Sequence, residues 1–101
     1  MTGRGERSPL ADLTQDHRIT LLRFLPRRDE AARESAYELG RRACATGVSL
    51  LDVCRIHHEV TLEVLEAAVP DDRLDIVTTA NELLLEVLAA YDMTQRSVLD
   101  A

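Results

Sequence analysis

Residues 48–94 constrain the fold more than any other stretch, because they form two long apolar segments separated by Pro70-Asp71-Asp72. Each segment repeats apolar residues at spacings of three and four, which predicts an amphipathic α-helix. A proline followed by acidic residues is typical of the point where one helix stops and the next begins. Both segments are apolar on more than one face, although a helix with a single neighbour needs only one apolar stripe. This surplus predicts contacts beyond those that one small chain supplies.

Two further helices precede this pair. Ser8 can cap a helix whose first turn contains Pro9, and Pro26 ends that helix. Asp29 is a favourable N-cap for the next helix, and Gly47 is a favourable left-handed C-terminal cap. No alternating strand pattern occurs in the sequence, and the connections are short.

These features predict an all-α protein with the fold of a four-helix antiparallel bundle, which we expect to be dimeric. The predicted helices cover residues 9–25, 29–45, 50–68 and 72–99. We expect residues 1–7 to be a disordered tail and residues 8–101 to form a single domain.

Charge and composition exclude several classes of function. Acidic residues outnumber basic ones by 18 to 12, a net charge of −6, whereas binding to a phosphate backbone needs a basic face. No apolar run reaches the roughly 20 residues that span a bilayer, and no secretory signal is present. Cys44 and Cys54 lack CxxC spacing and are typical of free thiols in a reducing compartment. We expect a cytoplasmic protein that needs no cofactor and binds neither nucleic acid nor membrane.

His57 and His58 are the first candidates for chemistry. Neighbouring residues on a helix point about 100° apart, so these two imidazoles cannot bind one metal ion together, and HExxH spacing is absent. His17 could approach them in space to make a metal or acid–base site, and Cys54 could pair with either as a nucleophile. We favour a structural role for His57, on the core stripe and hydrogen-bonded to a backbone carbonyl or a tyrosine hydroxyl. No catalytic and no metal-binding residue is predicted.

The last helix carries a heptad seam that can serve as core or as a dimer interface. Leu85, Leu88 and Ala89 lie off this seam, and they are either additional core or an exposed apolar patch that marks an interface. The seam residues are Val77, Ala80, Leu84, Val87, Tyr91 and Val98.

Three segments together resemble one known family: SAYELGRRA at residues 35–43, GVSLLDVCRIHHE at 47–59 and LLLEVLAAYDMTQR at 83–96. The matching features, in chain order, are a short helix cap, a helix that contains His57, the Pro-acidic turn, and the Tyr91-x-Met93 combination. This arrangement is similar to the N-terminal domain of the phosphoserine phosphatase RsbU family, over about residues 10–96.

The resemblance implies a four-helix regulatory domain that forms homodimers ahead of a metal-dependent serine phosphatase domain. In that family a switch-protein serine kinase docks on the domain through its second and fourth helices. The phosphatase is thereby stimulated, and a stress sigma factor is released. The matching positions are Glu30, Glu34, Leu85 and Ala89, to which we add Leu88 from the same apolar patch. Glu34 stands where an apolar or aromatic contact is typical of the family, which leaves the partner open.

Two non-catalytic functions therefore stay open. The first is a docking module that receives a switch-kinase-like activator in a bacterial stress or sigma-factor pathway. The second is a purely structural homodimerisation module that passes proximity or a signal to a downstream domain. We expect any phosphatase activity to belong to a catalytic domain outside this chain, whether the chain is a fragment or stands alone.

Overall fold

A computed structural model describes residues 8–100, and over this range the chain forms four α-helices and no strand. The helices are α1 (Pro9–Phe24), α2 (Glu30–Ala45), α3 (Leu50–Ala67) and α4 (Arg73–Asp100), with a 3₁₀ turn at Pro70–Asp72. The all-helical fold with four helices is thus confirmed, and each predicted helix is correct to within one residue at either end. The tail predicted at residues 1–7 lies outside the described residues.

The sequence predicts N-caps at Ser8, at Asp29 and at the serine of Ser49-x-x-Asp52, and all three act as caps. Ser8, Asp29 and Ser49 each accept a hydrogen bond from the backbone N–H three residues further on, at 3.0, 3.0 and 3.1 Å respectively. Each bond satisfies one of the N–H groups that a helix start leaves without a partner. Gly47 follows α2 with a φ of +81°, a left-handed conformation that a residue without Cβ adopts at little cost.

The start of the last helix is different. The sequence Pro70-Asp71-Asp72 predicts an aspartate N-cap for this helix, but Val69 precedes the 3₁₀ turn there, and this turn has no side-chain cap. The prediction is wrong because the backbone continues from the turn directly into α4. Asp71 and Asp72 lie in that first turn, where negative charge is favourable beside the positive end of the helix dipole.

The core is aliphatic and receives side chains from all four helices. Leu21 and Phe24 of α1, Val53 and Val60 of α3, and Leu83 of α4 are among its largest fully buried members. Burying one such side chain stabilises a fold by about 1.5–3 kcal/mol. The core therefore holds the four helices around one centre.

The most extensive helix pair is α2 with α4. Gly40 lies so close to α4 that a Cβ at this position would overlap the carbonyl oxygen of Val87 and lie 2.9 Å from the Tyr91 nitrogen. Arg28, just before α2, contacts Glu82 with its Nη1 2.7 Å from Oε1. Since Gly40 is near the end of α2 and Val87 and Tyr91 follow Glu82, the two helices run in the same direction.

The domain measures 45 × 39 × 23 Å along its principal axes, with a radius of gyration of 14.3 Å. α4 contains 28 residues, so it is about 42 Å long at 1.5 Å per residue. Its side chains from Gln95 to Leu99 are all exposed. Among the described helices, none combines the length and apolar character needed to cross a membrane.

Candidate protein interaction surface

The outer side of α4 exposes large apolar side chains along its whole length. Leu74 is 79% exposed, Leu85 61% and Leu99 78%. Single exposed leucines are common on protein surfaces, but several along one helix are typical of an interface. The surplus of apolar faces noted in the sequence is therefore real: part of it stays on the surface of the single chain.

The structure divides the five predicted docking residues into two kinds. Leu85, Ala89, Glu30 and Glu34 are exposed, and within residues 8–100 neither glutamate forms an ion pair. Leu88 is partly buried and packs against the core. Four of the five positions are thus accessible to a partner, and Leu88 supports the helix beneath them.

A groove between α2 and α4 combines Val98 of the predicted seam with residues that the sequence did not single out as binding residues. Tyr37 and Arg41 form one wall, and Met93, Thr94, Ser97 and Val98 form the other, around a volume of about 390 Å³. Tyr37 is 43% exposed and Met93 58%. Aromatic, methionine and arginine side chains are enriched at protein interfaces, so this groove has the composition of a docking site.

Tyr37 also connects this groove to another. A wider groove of about 730 Å³ between α1 and α2 is lined by Tyr37 together with Ile19, Arg23, Glu34 and Glu38, among others. Glu34 thus lies on the α1 side of α2. Tyr37 stands at the boundary of both grooves, and a partner that covers it can reach Glu34 on one side and Met93 on the other.

Of the Tyr91-x-Met93 combination, only the methionine is on the surface. The Tyr91 hydroxyl donates a hydrogen bond of 2.7 Å to the carbonyl oxygen of Val48, and its ring is buried. Burial raises the pKa of Tyr91 above its ordinary value, with a smaller contribution from Cys44. Tyr91 therefore holds α4 against the connection between α2 and α3, whereas Met93 is free to contact a partner.

The heptad seam of α4 is also divided. Ala80, Val87 and Tyr91 are buried in the chain's own core, and Leu84 is partly buried. Val77 and Val98 are 46% and 68% exposed. Ile76, Leu83 and Ala90, which the seam did not include, are buried instead. The inward face of α4 is therefore rotated from the predicted seam, and only part of the seam is available to a second chain.

His57 is buried as predicted, but its hydrogen-bond partner is another histidine. Its Nδ1 lies 3.0 Å from Nε2 of His17, and its Nε2 lies 3.5 Å from the Thr61 hydroxyl. The predicted backbone carbonyl or tyrosine partner is wrong because α1 brings His17 directly over α3, while the Tyr91 hydroxyl bonds to Val48. Burial lowers the pKa of each imidazole to about 4, and a neighbouring histidine adds to the effect.

The histidines do not form a catalytic constellation with other reactive groups. His58 and Cys54 are exposed, whereas the paired imidazoles are buried. Within residues 8–100, no group of three or more His, Cys, Asp or Glu side chains is arranged to hold a metal ion. Both cysteines are free thiols.

The fold and surface agree with one family comparison. Residues 15–94 match the family described as phosphoserine phosphatase RsbU, N-terminal domain. This match covers most of the chain, and the protein belongs to this family. The domain is regulatory and not catalytic. Neither a curated protein nor a solved structure matches the chain.

Proposed function

We propose that this domain is a docking module that receives a switch-kinase-like regulatory protein in a bacterial stress or sigma-factor partner-switching pathway, and thereby controls a serine phosphatase or a related signalling output. Family membership supports a regulatory role. The observation that carries the docking site is the groove around Tyr37 and Met93, on the same helix that exposes Leu85 and Ala89.

The charge of this surface fits a partner with basic groups. Glu30 and Glu34 are exposed and have no ion-pair partner within residues 8–100, whereas Glu38 is engaged by Arg41 at 2.8 Å. Two carboxylates without a counter-charge attract a positively charged patch and orient it during association. The apolar side chains of Leu85 and Met93 would then supply the area that leaves water.

The test is a titration of the purified domain with a kinase-like switch protein from the same genome, followed by calorimetry. We expect binding that is weakened at least about tenfold by Leu85→Asp, because burying a charge in an apolar contact costs more than 1.4 kcal/mol. Leu62→Asp is the matched control, since Leu62 is 45% exposed on α3, away from the groove. Circular dichroism checks that both variants stay helical.

Two results would overturn the docking proposal. One is that no kinase-like switch protein from that genome binds the wild-type domain. The other is that Leu85→Asp and Leu62→Asp bind with the same affinity as the wild type.

A second proposal is homodimerisation, and it rests on different residues. Leu74, Val77 and Val98 are exposed on α4, and Leu51 is 62% exposed on α3. Light scattering at micromolar concentration should give about twice the 11.3 kDa mass of one chain, and Val77→Asp should reduce it. A monomeric mass for the wild type would overturn this proposal and leave the docking proposal standing.

We also propose that the bundle is antiparallel and that the protein is cytoplasmic. Tyr91, late in α4, reaches Val48 just before the start of α3. This contact supports opposite directions for α3 and α4. A cytoplasmic location is supported by the free thiols of Cys44 and Cys54, because a reducing compartment keeps cysteines unpaired.

A further inference from the structure

Two imidazoles face each other in the interior between α1 and α3. His17 is 2% exposed and His57 is 9% exposed. Their rings are nearly perpendicular, at 78°, with centroids 5.1 Å apart, and the facing nitrogens are 3.0 Å apart. A hydrogen bond of this length contains one proton, so one ring donates and the other accepts. The contact therefore requires that both rings are neutral, or that the pair carries no more than one additional proton.

The acidic side chains near this pair are engaged elsewhere. On α1, Asp16 pairs with Arg42 of α2, and Arg18 pairs with Glu63 of α3. Within residues 8–100, no carboxylate is hydrogen-bonded to either buried imidazole. A proton added to the pair would therefore create a buried positive charge without a negative partner.

The other polar groups on the packed helices do not compensate for such a charge. On α4, Thr79 accepts a hydrogen bond from Arg28, and the Tyr91 hydroxyl donates to Val48. On α3, His58 is exposed and can only repel a second imidazolium, whereas the Thr61 hydroxyl lies 3.5 Å from His57 Nε2. A full positive charge at the pair thus meets hydroxyl groups and one more histidine.

Protonation of both rings is incompatible with the contact. With two protons added, both facing nitrogens carry hydrogen, and two N–H groups cannot approach to 3.0 Å. The two imidazolium charges also repel each other in an interior of low dielectric constant. The contact can therefore persist only while at least one ring is neutral.

We propose that His17 and His57 form an acid-sensitive contact that holds the first half of α1 on α3 at neutral pH and releases it on acidification. The release is local because the burial along α1 is uneven. Between Pro9 and His17 only Leu13 and His17 are buried, whereas the second half buries Thr20, Leu21 and Phe24. Residues 9–17 therefore lose one of their two buried side chains when His17 leaves.

The direction of the pH dependence follows from linkage. The pKa of each histidine is lowered from 6.5 to about 4 in the folded chain, so the open form binds more protons. The stabilisation is complete above pH 6.5 and is lost as the pH falls towards 4. Even with only one titrating imidazole, the equilibrium constant for release of the first half of α1 should rise at least about tenfold between pH 7 and pH 5.

Hydrogen exchange on the full chain tests the proposal. After correction for the intrinsic rates, we expect amide protection at residues 12–18 to fall at least about tenfold between pH 7 and pH 5. Protection at residues 21–25, in the second half of the same helix, should change much less. Unchanged protection at residues 12–18, or an equal loss of amide protection in all four helices, would overturn the proposal.

Variants separate the pair from the exposed histidine. His58→Gln should retain the full pH response of residues 12–18, whereas His57→Gln should reduce it at least severalfold because one titrating ring is gone. If His57→Gln does not fold, an NMR titration of the wild-type imidazoles decides. The proposal predicts that His17 and His57 gain charge only well below pH 6.5, and it is wrong if both titrate near 6.5 in the folded chain. This inference is independent of the proposed docking, because no partner is present in any of these measurements.

Discussion

The α2–α4 pair and the α1–α3 pair are built by different means. α2 and α4 approach until backbone meets backbone, with Gly40 against the Val87 carbonyl. α1 and α3, besides their shared core residues, meet through polar side chains, imidazole to imidazole at 3.0 Å and the Arg18 guanidinium to the Glu63 carboxylate at 2.8 Å. The close backbone contact at Gly40 contains no titrating group, whereas the contact between α1 and α3 contains two buried imidazoles, so we expect pH changes near neutrality to act on the second contact.

The proposed docking groove and the acid-sensitive contact lie in different helix pairs. The proposed docking groove lies between α2 and α4, the pair whose close backbone contact at Gly40 contains no titrating group. The acid-sensitive contact lies between α1 and α3. We therefore expect substitutions in α2–α4 to change stability equally at all pH values, and substitutions in the histidine pair to change its pH dependence.

The largest loss should come from Gly40→Ala. The added Cβ overlaps the Val87 carbonyl oxygen, and backbone cannot move aside as a side chain can. We expect the free energy of unfolding to fall by about 1–3 kcal/mol, even though alanine favours a helix over glycine. Urea unfolding followed by circular dichroism measures it.

Gly47→Ala is the matched control for this substitution. A Cβ at position 47 would meet nothing within 4 Å, so only the left-handed backbone is penalised. That penalty is about 1–2 kcal/mol. If Gly40→Ala costs nothing, the close approach of α2 and α4 is not as described.

A smaller loss should follow Tyr91→Phe. This change keeps the buried ring but removes the hydroxyl that donates to the Val48 carbonyl at 2.7 Å. We expect a loss of about 1–2 kcal/mol, because the carbonyl is left without that partner. Thermal unfolding would record it, and an unchanged melting temperature would indicate that water replaces the hydroxyl.

The smallest effect should come from Glu63→Gln. The Arg18–Glu63 pair lowers the pKa of Glu63 through its hydrogen bond, but both side chains are substantially exposed, at 33% and 53%. Water and salt screen such a pair, so its contribution is small and disappears at high salt. Urea midpoints at low and high salt test this, with Glu66→Gln as a control. A loss as large as that of Tyr91→Phe would contradict the small contribution expected from the exposed Arg18–Glu63 pair.

The helix positions could be predicted from the sequence because local chemistry decides them. Ser8, Asp29 and Ser49 each supply an acceptor where a helix leaves an N–H group without a partner. Gly47 supplies the left-handed backbone that ends α2. These signals act within four residues, so a single sequence contains them in full.

Two features could not be predicted because they depend on distant parts of the chain. α4 is apolar on several faces, and its neighbours determine that Ile76, Leu83 and Ala90 turn inward while Val77 and Val98 stay exposed. The partner of His57 is 40 residues away along the chain. From the sequence, His17 is a possible neighbour of His57 in space. No local signal distinguishes a histidine that pairs with another histidine from one that is hydrogen-bonded to a backbone carbonyl.

The absence of a side chain at Gly40 also has a mechanical consequence. No flexible group lies between the backbones of α2 and α4 at that point, so nothing there can absorb a displacement of one helix relative to the other. We expect the two helices to move together, so that a partner bound at Tyr37 on α2 also displaces α4. The more compliant pair is then α1 with α3, which two imidazole side chains connect.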